Sequence, residues 1–196
     1  MARGLGVRHE ERRHQIADAV LAIVAERGLG AVSLTEVAAL AGISPGRVQH
    51  YFPAKRQLVE AAFERGNELS AARIKGLAGD AGPRVTLTTV LTELIPYDAT
   101  TRAHIRVRQS FHAQGFADEG IAARLRGLYE GFHRELAGLI GAEQRAGRIA
   151  AGLDAGQAAL DLVALAEGLA AYVLLGVTPA AVARERILAA IGGLYP

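Results

Sequence analysis

Cysteine is absent from the 196 residues, and so is tryptophan. Without cysteine the chain can form neither disulfides nor thiolate metal sites, and an intracellular location is permitted. Aromatic residues make up only 5% of the sequence, and its first fifteen residues, MARGLGVRHEERRHQ, lack the apolar run of a secretory signal. A cytoplasmic protein is therefore expected.

Long uninterrupted apolar runs and metal-binding motifs are also lacking. The most apolar stretch, residues 158–177, is long enough to span a bilayer, but it contains Asp161 and Glu167, which argue against a membrane helix. The six histidines are scattered, and no H-E-x-x-H motif or carboxylate cluster accompanies them. We expect no metal, no cofactor and no membrane partner.

One pattern resembles a catalytic motif, since residues 42–46 match the G-x-S-x-G of a nucleophile elbow. That chemistry requires a strand before the serine, whereas helical patterns flank it on both sides. No other nucleophilic or acid–base set is visible. The sequence therefore predicts no catalytic residues and no enzyme.

A stretch near the N-terminus, SLTEVAALAGISPGRVQHYF (residues 33–52), has the pattern of two short helices joined by a tight turn. Ser33 and Glu36 form a capping box, in which the hydroxyl takes a first-turn amide and the carboxylate reaches back to the cap amide. The first helix is thus expected to begin at Leu34. Gly42 supplies the left-handed conformation that lets the backbone leave this helix sharply.

The second helix follows a turn of three residues. Ser44 caps it, and Pro45 takes its first position, where a missing amide costs nothing. Val48 and Phe52, four residues apart, face back onto the first helix. The pattern is a helix-turn-helix, which leaves one side of the second helix free for a nucleic acid.

The free side carries groups that suit DNA. Arg47 can fork onto guanine and Gln49 can pair with adenine, whereas His50 and Lys55 can bind phosphates. The predicted DNA contacts are Ser33, Thr35, Ser44, Gly46, Arg47, Gln49, His50, Tyr51 and Lys55. The alternative is a helical hairpin whose polar side chains are merely solvated.

Basic residues are concentrated in the N-terminal part, although the net charge is only +2. Residues 1–56 carry eight Lys or Arg and five Asp or Glu, whereas the remainder has a charge of −1. Arg3, Arg8, Arg12 and Arg13 form a basic arm. It either follows phosphates and enters a minor groove or is a frayed, solvated terminus.

Residues 41–63, AGISPGRVQHYFPAKRQLVEAAF, are similar to the turn, recognition helix and start of the fourth helix of the TetR family of bacterial one-component transcriptional repressors. The aromatic pair Tyr51 and Phe52 belongs to this resemblance, which covers roughly residues 10–65. Members often carry a small residue and a tyrosine where this chain has Arg47 and Gln49. The resemblance implies a DNA-binding head followed by a divergent ligand-binding domain.

The remaining sequence shows helical periodicity and no strand pattern. A first helix at residues 10–27 completes a three-helix head, and a fourth at 54–74 connects it to the rest. Glycines at residues 76–83 mark the best candidate boundary. Further helices are expected at 87–94, 100–114, 118–145, 154–175 and after 178.

These patterns predict an all-α protein of about nine helices. Its helix-turn-helix DNA-binding domain is residues 1–56, and its C-terminal helical bundle for ligand binding and dimerisation is residues 57–196. The helix at 154–175 is apolar nearly all the way round, so a monomer cannot easily bury every face.

A homodimer through the last two helices follows from that excess of apolar surface, and the family resemblance implies the same interface. Leu169, Val173 and Ile187 are expected within it. The alternative is a monomer in which the helix at 154–175 is the buried centre.

Aromatic and hydrogen-bonding side chains along the C-terminal helices predict a small-molecule pocket. The expected lining is Tyr97, His104, Arg108, His112, Phe116, Tyr129 and His133. For each of them the alternative is a core aromatic or an exposed polar residue.

The sequence and the resemblance together predict a transcriptional regulator. It would bind a palindromic double-stranded operator as a homodimer and be released by a small-molecule effector. Repression is the primary interpretation, and an activator or a constitutive DNA-binding dimer stays open. A sequence-independent architectural DNA-binding protein would be more basic than +2.

Overall fold

The computed structural model describes residues 2–196, with side chains from His9 onward. Within that range the chain forms nine α-helices and no strand, which confirms the all-α prediction. The helices are α1 (Ala2–Arg27), α2 (Leu34–Ala41), α3 (Pro45–Tyr51), α4 (Lys55–Ala78), α5 (Pro83–Glu93), α6 (Ala99–Gly115), α7 (Glu119–Arg145), α8 (Ala155–Leu174) and α9 (Ala180–Gly192), with one 3₁₀ turn at Leu29–Ala31.

The first helix begins earlier than its apolar periodicity predicts, because α1 already starts at Ala2. The predicted basic arm is therefore a helical extension of α1, and the side chains of Arg3 and Arg8 lie outside the described part of the structure. Arg13 lies with its guanidinium 4.5 Å from the centre of the Phe52 ring. This cation–π contact ties α1 to the end of α3.

Two hydrophobic cores organise the chain. The first is built on the apolar stripe of α1, including Ile16 and Val20, and it packs against α2, α3 and α4. This core extends into α6 and α7, because Val107, Phe111 and Ile121 belong to it. The rings of Phe63 and Phe111 stack at 4.4 Å. The N-terminal helices are thus packed directly on α6.

The second core joins α5, α7, α8 and α9, and its fully buried members include Leu91, Leu136 and Ile140. Helix α8 is long and apolar enough to cross a membrane by length and composition. It packs between α7 and α9 and buries one face in this core, as the central helix of a globular bundle does.

The expected dimer residues on the last two helices need a correction. Val173 and Ile187 are buried in the second core of the protomer itself, and Leu169 packs partly against it. Their helical spacing places them on the inward faces of α8 and α9. The large apolar side chains that remain exposed on these helices include Leu165, Tyr172 and Leu188.

Candidate DNA-binding surface and ligand cavity

The helix-turn-helix has the predicted local structure. Ser33 caps α2, with its Oγ accepting from the amide of Glu36 at 3.2 Å, and Gly42 ends the helix at φ 64°. Ser44 caps α3 in the same way, accepting from the amide of Arg47 at 3.3 Å, with Pro45 at the first turn. Ser44 is therefore a helix cap between two helices and not a nucleophile.

The second half of the predicted capping box is wrong. The carboxylate of Glu36 does not return to the amide of Ser33 but binds the guanidinium of Arg27 at 2.6 Å. The end of α1 lies beside the start of α2, so Arg27 offers a charged partner. The guanidinium of Arg27 therefore replaces the cap amide as the partner of this carboxylate.

Most of the residues predicted to contact DNA are exposed. Side chains that are exposed include Arg47, Gln49 and His50 on α3 and Lys55 at the start of α4. The exposed set also contains Ser33, Thr35, Ser44 and Gly46. Between them, Val48 is fully buried and holds α3 against α1 and α2. One side of α3 is thus packed and the other is free.

Tyr51 differs from its neighbours because it is partly buried. Its ring lies 4.8 Å from that of His9 on α1 and 5.6 Å, edge-on, from that of His50. These contacts fix the ring at the end of α3, where only part of it remains available to a phosphate.

Polar contacts bind the N-terminal helices to the rest of the chain. Arg106 of α6 donates to the carbonyls of Val24 and Ala25 in the last turn of α1, each at 3.2 Å. Arg124 of α7 pairs with Glu60 and Glu64 of α4. A displacement of α6 would therefore disturb its contacts with α1. A displacement of α7 would disturb its ion pairs with α4.

A cavity of about 500 Å³ lies between α4, α5, α6 and α7. Its apolar walls include Phe63, Ile105 and Phe132, and its neutral polar groups include Asn67 and Ser70. This combination of apolar surface and a few hydrogen-bonding groups is typical of a small-molecule site.

The structure brings three of the seven predicted pocket residues to this cavity, namely His104, His112 and Tyr129. Two others, Arg108 and His133, lie next to Tyr129. The guanidinium carbon of Arg108 is 5.8 Å from the centre of the Tyr129 ring, and the centre of the His133 ring is 5.6 Å from it. The ligand-binding role of all five stays a prediction.

The remaining two predicted pocket residues, Tyr97 and Phe116, lie outside the cavity. Phe116 follows the end of α6 in the turn to α7 and is 91% exposed. The Tyr97 hydroxyl donates to Glu93 and accepts from Arg73, in a partly exposed cluster before α6. Both residues sit where a helix has ended, so helical spacing does not predict their direction.

Sequence reasoning missed the contribution of α4 to the cavity. Phe63, Asn67, Ser70 and Ile74 recur every three or four residues and form one wall. This spacing was visible in the sequence. The sequence pattern predicts for this helix only a connection between the head and the rest of the chain, and no contribution to a pocket.

A partly buried polar network adjoins the cavity. The Tyr129 hydroxyl donates to Oε1 of Glu167 on α8, and Nη2 of Arg108 binds the same oxygen at 3.0 Å. Nε2 of His112 lies 3.2 Å from the Tyr129 hydroxyl oxygen. Burial raises the pKa of Tyr129. Nε of Arg108 and Nε2 of His133 are buried without a partner among the described residues.

Burial lowers the pKa of His104 and of His112 below the ordinary histidine value, because the cavity wall disfavours the imidazolium. Asp98 and Glu167, respectively, raise these pKa values without cancelling the effect. Both rings are therefore neutral at neutral pH and serve as uncharged hydrogen-bonding groups.

These shifts predict how stability depends on pH. The unfolded chain takes up protons at an ordinary histidine pKa of about 6.5, before the folded chain does. Above that pH the free energy of unfolding should keep the whole contribution of these two histidines, and it should decrease as the pH falls below it. His112→Gln should reduce this loss in chemical denaturation. Equal pH dependence in wild type and His112→Gln would contradict the assignment.

Two family models match the chain. The model for bacterial regulatory proteins of the tetR family matches residues 16–62, and that for the BetI-type transcriptional repressor, C-terminal, matches residues 83–195. The second match alone covers more than half of the chain. The chain belongs to the TetR family of transcriptional regulators. Members of the TetR family are not enzymes, which confirms that expectation.

Individual relatives agree with the family assignment. The TetR-family chain is 34% identical over 106 residues to the HTH-type transcriptional regulator PksA of Bacillus subtilis, covering 54% of this chain and 52% of that protein. It is 30% identical over 115 residues to the regulator BetI of Rhizobium meliloti, covering 58% and 49%. The chain thus spans about half the length of the curated relatives it matches.

A solved structure extends the likeness over the whole fold. A TetR-family transcriptional regulator from Rhodococcus sp. has a TM-score of 0.79 and 29% identity, over 95% of this chain and 100% of that one. A regulator from Saccharomonospora viridis, solved in complex with choline, has a TM-score of 0.80 and 24% identity over 93% and 96%. The second likeness shows the fold alone.

Proposed function

We propose that this TetR-family chain is a cytoplasmic repressor that binds a palindromic operator as a homodimer and is released by a small molecule. The proposal is supported by the position of the ligand cavity, because helices that form its wall also contact the DNA-binding head. Helices α4 and α6 line the cavity, and the same two helices pack against α1 of the helix-turn-helix head. Residues 1–56 are proposed as the DNA-binding domain and residues 57–196 as the effector and dimerisation domain.

DNA recognition is assigned to the exposed side of α3. Arg47 and Gln49 carry its longest base-reading groups, and Lys55 is placed to bind a phosphate. The cap residues Ser33 and Ser44 direct the open N-termini of α2 and α3 towards the same surface, which favours phosphate contacts. A homodimer would present two copies of α3 to successive major grooves, about 34 Å apart.

Effector binding is assigned to the cavity beside His104, His112 and Tyr129. A ligand that prefers a conformation with displaced α6 would shift the population towards that conformation. The Arg106 contacts to α1 and the Phe63–Phe111 stack between α4 and α6 would carry the displacement into the head. The two copies of α3 would then no longer match the spacing of the grooves.

The DNA-binding part of the proposal is tested by selection from a randomised DNA library with the purified full-length chain. We expect recovery of an inverted repeat, and we expect the protein to bind it at least about 10³-fold more tightly than scrambled DNA at physiological salt. Recovery of unrelated sequences, with equal affinity for the scrambled control, would contradict the proposal. A screen for small molecules that release the selected operator then tests effector control.

A further inference from the structure

The polar network that adjoins the cavity fixes the position of each proton. A carboxylate can only accept hydrogen bonds and a guanidinium can only donate them. Glu167 therefore accepts from Arg108 and from the hydroxyl of Tyr129. The single proton of Tyr129 is thus committed to Glu167, and its oxygen can offer only lone pairs to other neighbours.

The committed proton determines the tautomer of His112. Nε2 of His112 lies 3.2 Å from the Tyr129 oxygen, and that oxygen has no proton left to give. His112 must therefore donate from Nε2. A neutral imidazole carries one N–H only, so Nδ1 of His112 is left as a bare acceptor.

This bare acceptor belongs to a ring that lines the cavity. His112 contributes to the cavity wall, and its Nδ1 makes no hydrogen bond to any residue that the structure describes. The buried side-chain atoms without partners in that part of the chain are on Arg108, His133 and Tyr195, and Nδ1 of His112 is not among them. A bound molecule can therefore reach it.

The charges around the cavity favour an uncharged ligand. The charged groups nearest His112 are Glu167 and Arg108, and they are already paired with each other at 3.0 Å. The carboxylate of Glu93 is already paired with Arg73 at 3.0 Å. Lys75 and Glu135 are exposed at the rim and have opposite signs. An ion placed deep in the cavity would lose its hydration without gaining a free counter-ion.

We propose that the cavity selects uncharged, largely apolar molecules that carry a hydrogen-bond donor, a hydroxyl or an N–H, which binds Nδ1 of His112. This inference rests on the proposed function, since it names the ligand class for the same cavity. An ether, ester or ketone of the same size has no proton to donate, so its oxygen would face the lone pair of His112 Nδ1. The nitrogen would then have no hydrogen-bond donor.

The tautomer is tested first, on the protein without ligand. Nitrogen-15 NMR of histidine-labelled full-length chain should show His112 protonated at Nε2 and bare at Nδ1, with His112→Gln used for assignment. Tyr129→Phe removes the hydroxyl that accepts that proton and should produce a mixture of tautomers. A wild-type His112 protonated at Nδ1 would overturn the proposal before any ligand is tried.

Ligand selectivity is tested with a matched pair of probes, 2-naphthol and 2-methoxynaphthalene, by calorimetry without DNA. Wild type should bind the naphthol about tenfold more tightly, because the ether cannot donate. His112→Phe should abolish the difference, and His104→Phe, the same change in the same cavity, should keep it. Equal affinities in wild type, failure of 2-naphthol to bind, or loss of the difference only in His104→Phe would each overturn the proposal.

The outcome is separable from that of the proposed function. Selective binding without release of the operator would remove effector control and leave the ligand class intact. Release of the operator by both probes alike would support effector control and refute the donor rule.

Discussion

Replacing Leu165 with glutamate is expected to turn a homodimer into a folded monomer that no longer binds a two-half-site operator. Leu165 and Tyr172 lie seven residues apart on α8, Leu175 caps the end of that helix, and all three are exposed in the protomer. Leu188 is exposed on the neighbouring α9. So much exposed apolar surface on two adjacent helices indicates a protein interface.

The size of the effect follows from the symmetry of such an interface. A two-fold interface contains each residue twice, so one substitution introduces two carboxylates. Leaving a buried charge without a partner costs about 3–5 kcal/mol. Each 1.4 kcal/mol changes a dissociation constant about tenfold, so a rise of well over a hundredfold is expected.

Light scattering at micromolar concentration measures this directly. The wild-type protein should have the mass of a dimer, and the Leu165→Glu variant should have the mass of a monomer. The helical content of the variant should be unchanged. Leu77→Glu is the matched control, because Leu77 is also exposed but lies on α4, away from the interface. A monomeric wild type would contradict the dimer. A different result is expected for Val173→Glu, which places the charge in the protomer core and should unfold it.

Replacing Arg47 with alanine is the second change with a large expected effect. A bidentate contact to a base contributes about 1–3 kcal/mol of discrimination, and a dimer loses the contact in both half-sites. Operator affinity should therefore fall by about 2–6 kcal/mol, while affinity for scrambled DNA changes little. The helix itself should survive, because Arg47 is exposed and its contribution to the cap is made by the backbone amide.

Lys55 supplies the comparison for Arg47. It is exposed at the first position of α4, and we predict that it contacts a phosphate. Lys55→Ala should weaken binding to operator and scrambled DNA alike and lower the salt dependence by about one phosphate contact. Fluorescence anisotropy on both DNAs at two salt concentrations separates the two roles. Equal losses on both DNAs for Arg47→Ala would reduce Arg47 to a phosphate contact.

Local features of the fold were predictable because they depend on neighbours in the sequence. The caps at Ser33 and Ser44, the left-handed Gly42 and the buried Val48 each follow from a few adjacent residues, and the structure confirms them. The long amphipathic α7 was equally predictable from its period.

Features that depend on distant residues were not predictable. The carboxylate of Glu36 binds Arg27 instead of the amide of Ser33 because α1 ends beside it. No sequence pattern predicts that this pair is in contact. The inward direction of Val173 and Ile187 depends on which side of α8 and α9 meets α7 and α5. An all-round apolar pattern cannot tell the core side from the dimer side.

The ligand cavity also combines features that depend on neighbours in the sequence with features that depend on distant residues. His104, His112 and Tyr129 lie on regular helices, so their spacing was informative. Glu167 was noted in the sequence only as a charge that argues against a membrane helix. Its partnership with Tyr129 and Arg108 requires α6, α7 and α8 to meet at one point. That is a property of tertiary packing.

We expect the cavity and the DNA-binding surface to be coupled through shared helices. The most direct test is to titrate one identified effector into the full-length protein with and without a saturating operator. Coupling free energies are reciprocal, so the operator should weaken effector binding by the same factor, about five- to 150-fold, by which the effector weakens operator binding. Identical effector affinities in the two titrations would contradict the claim and leave a DNA-binding dimer without effector control.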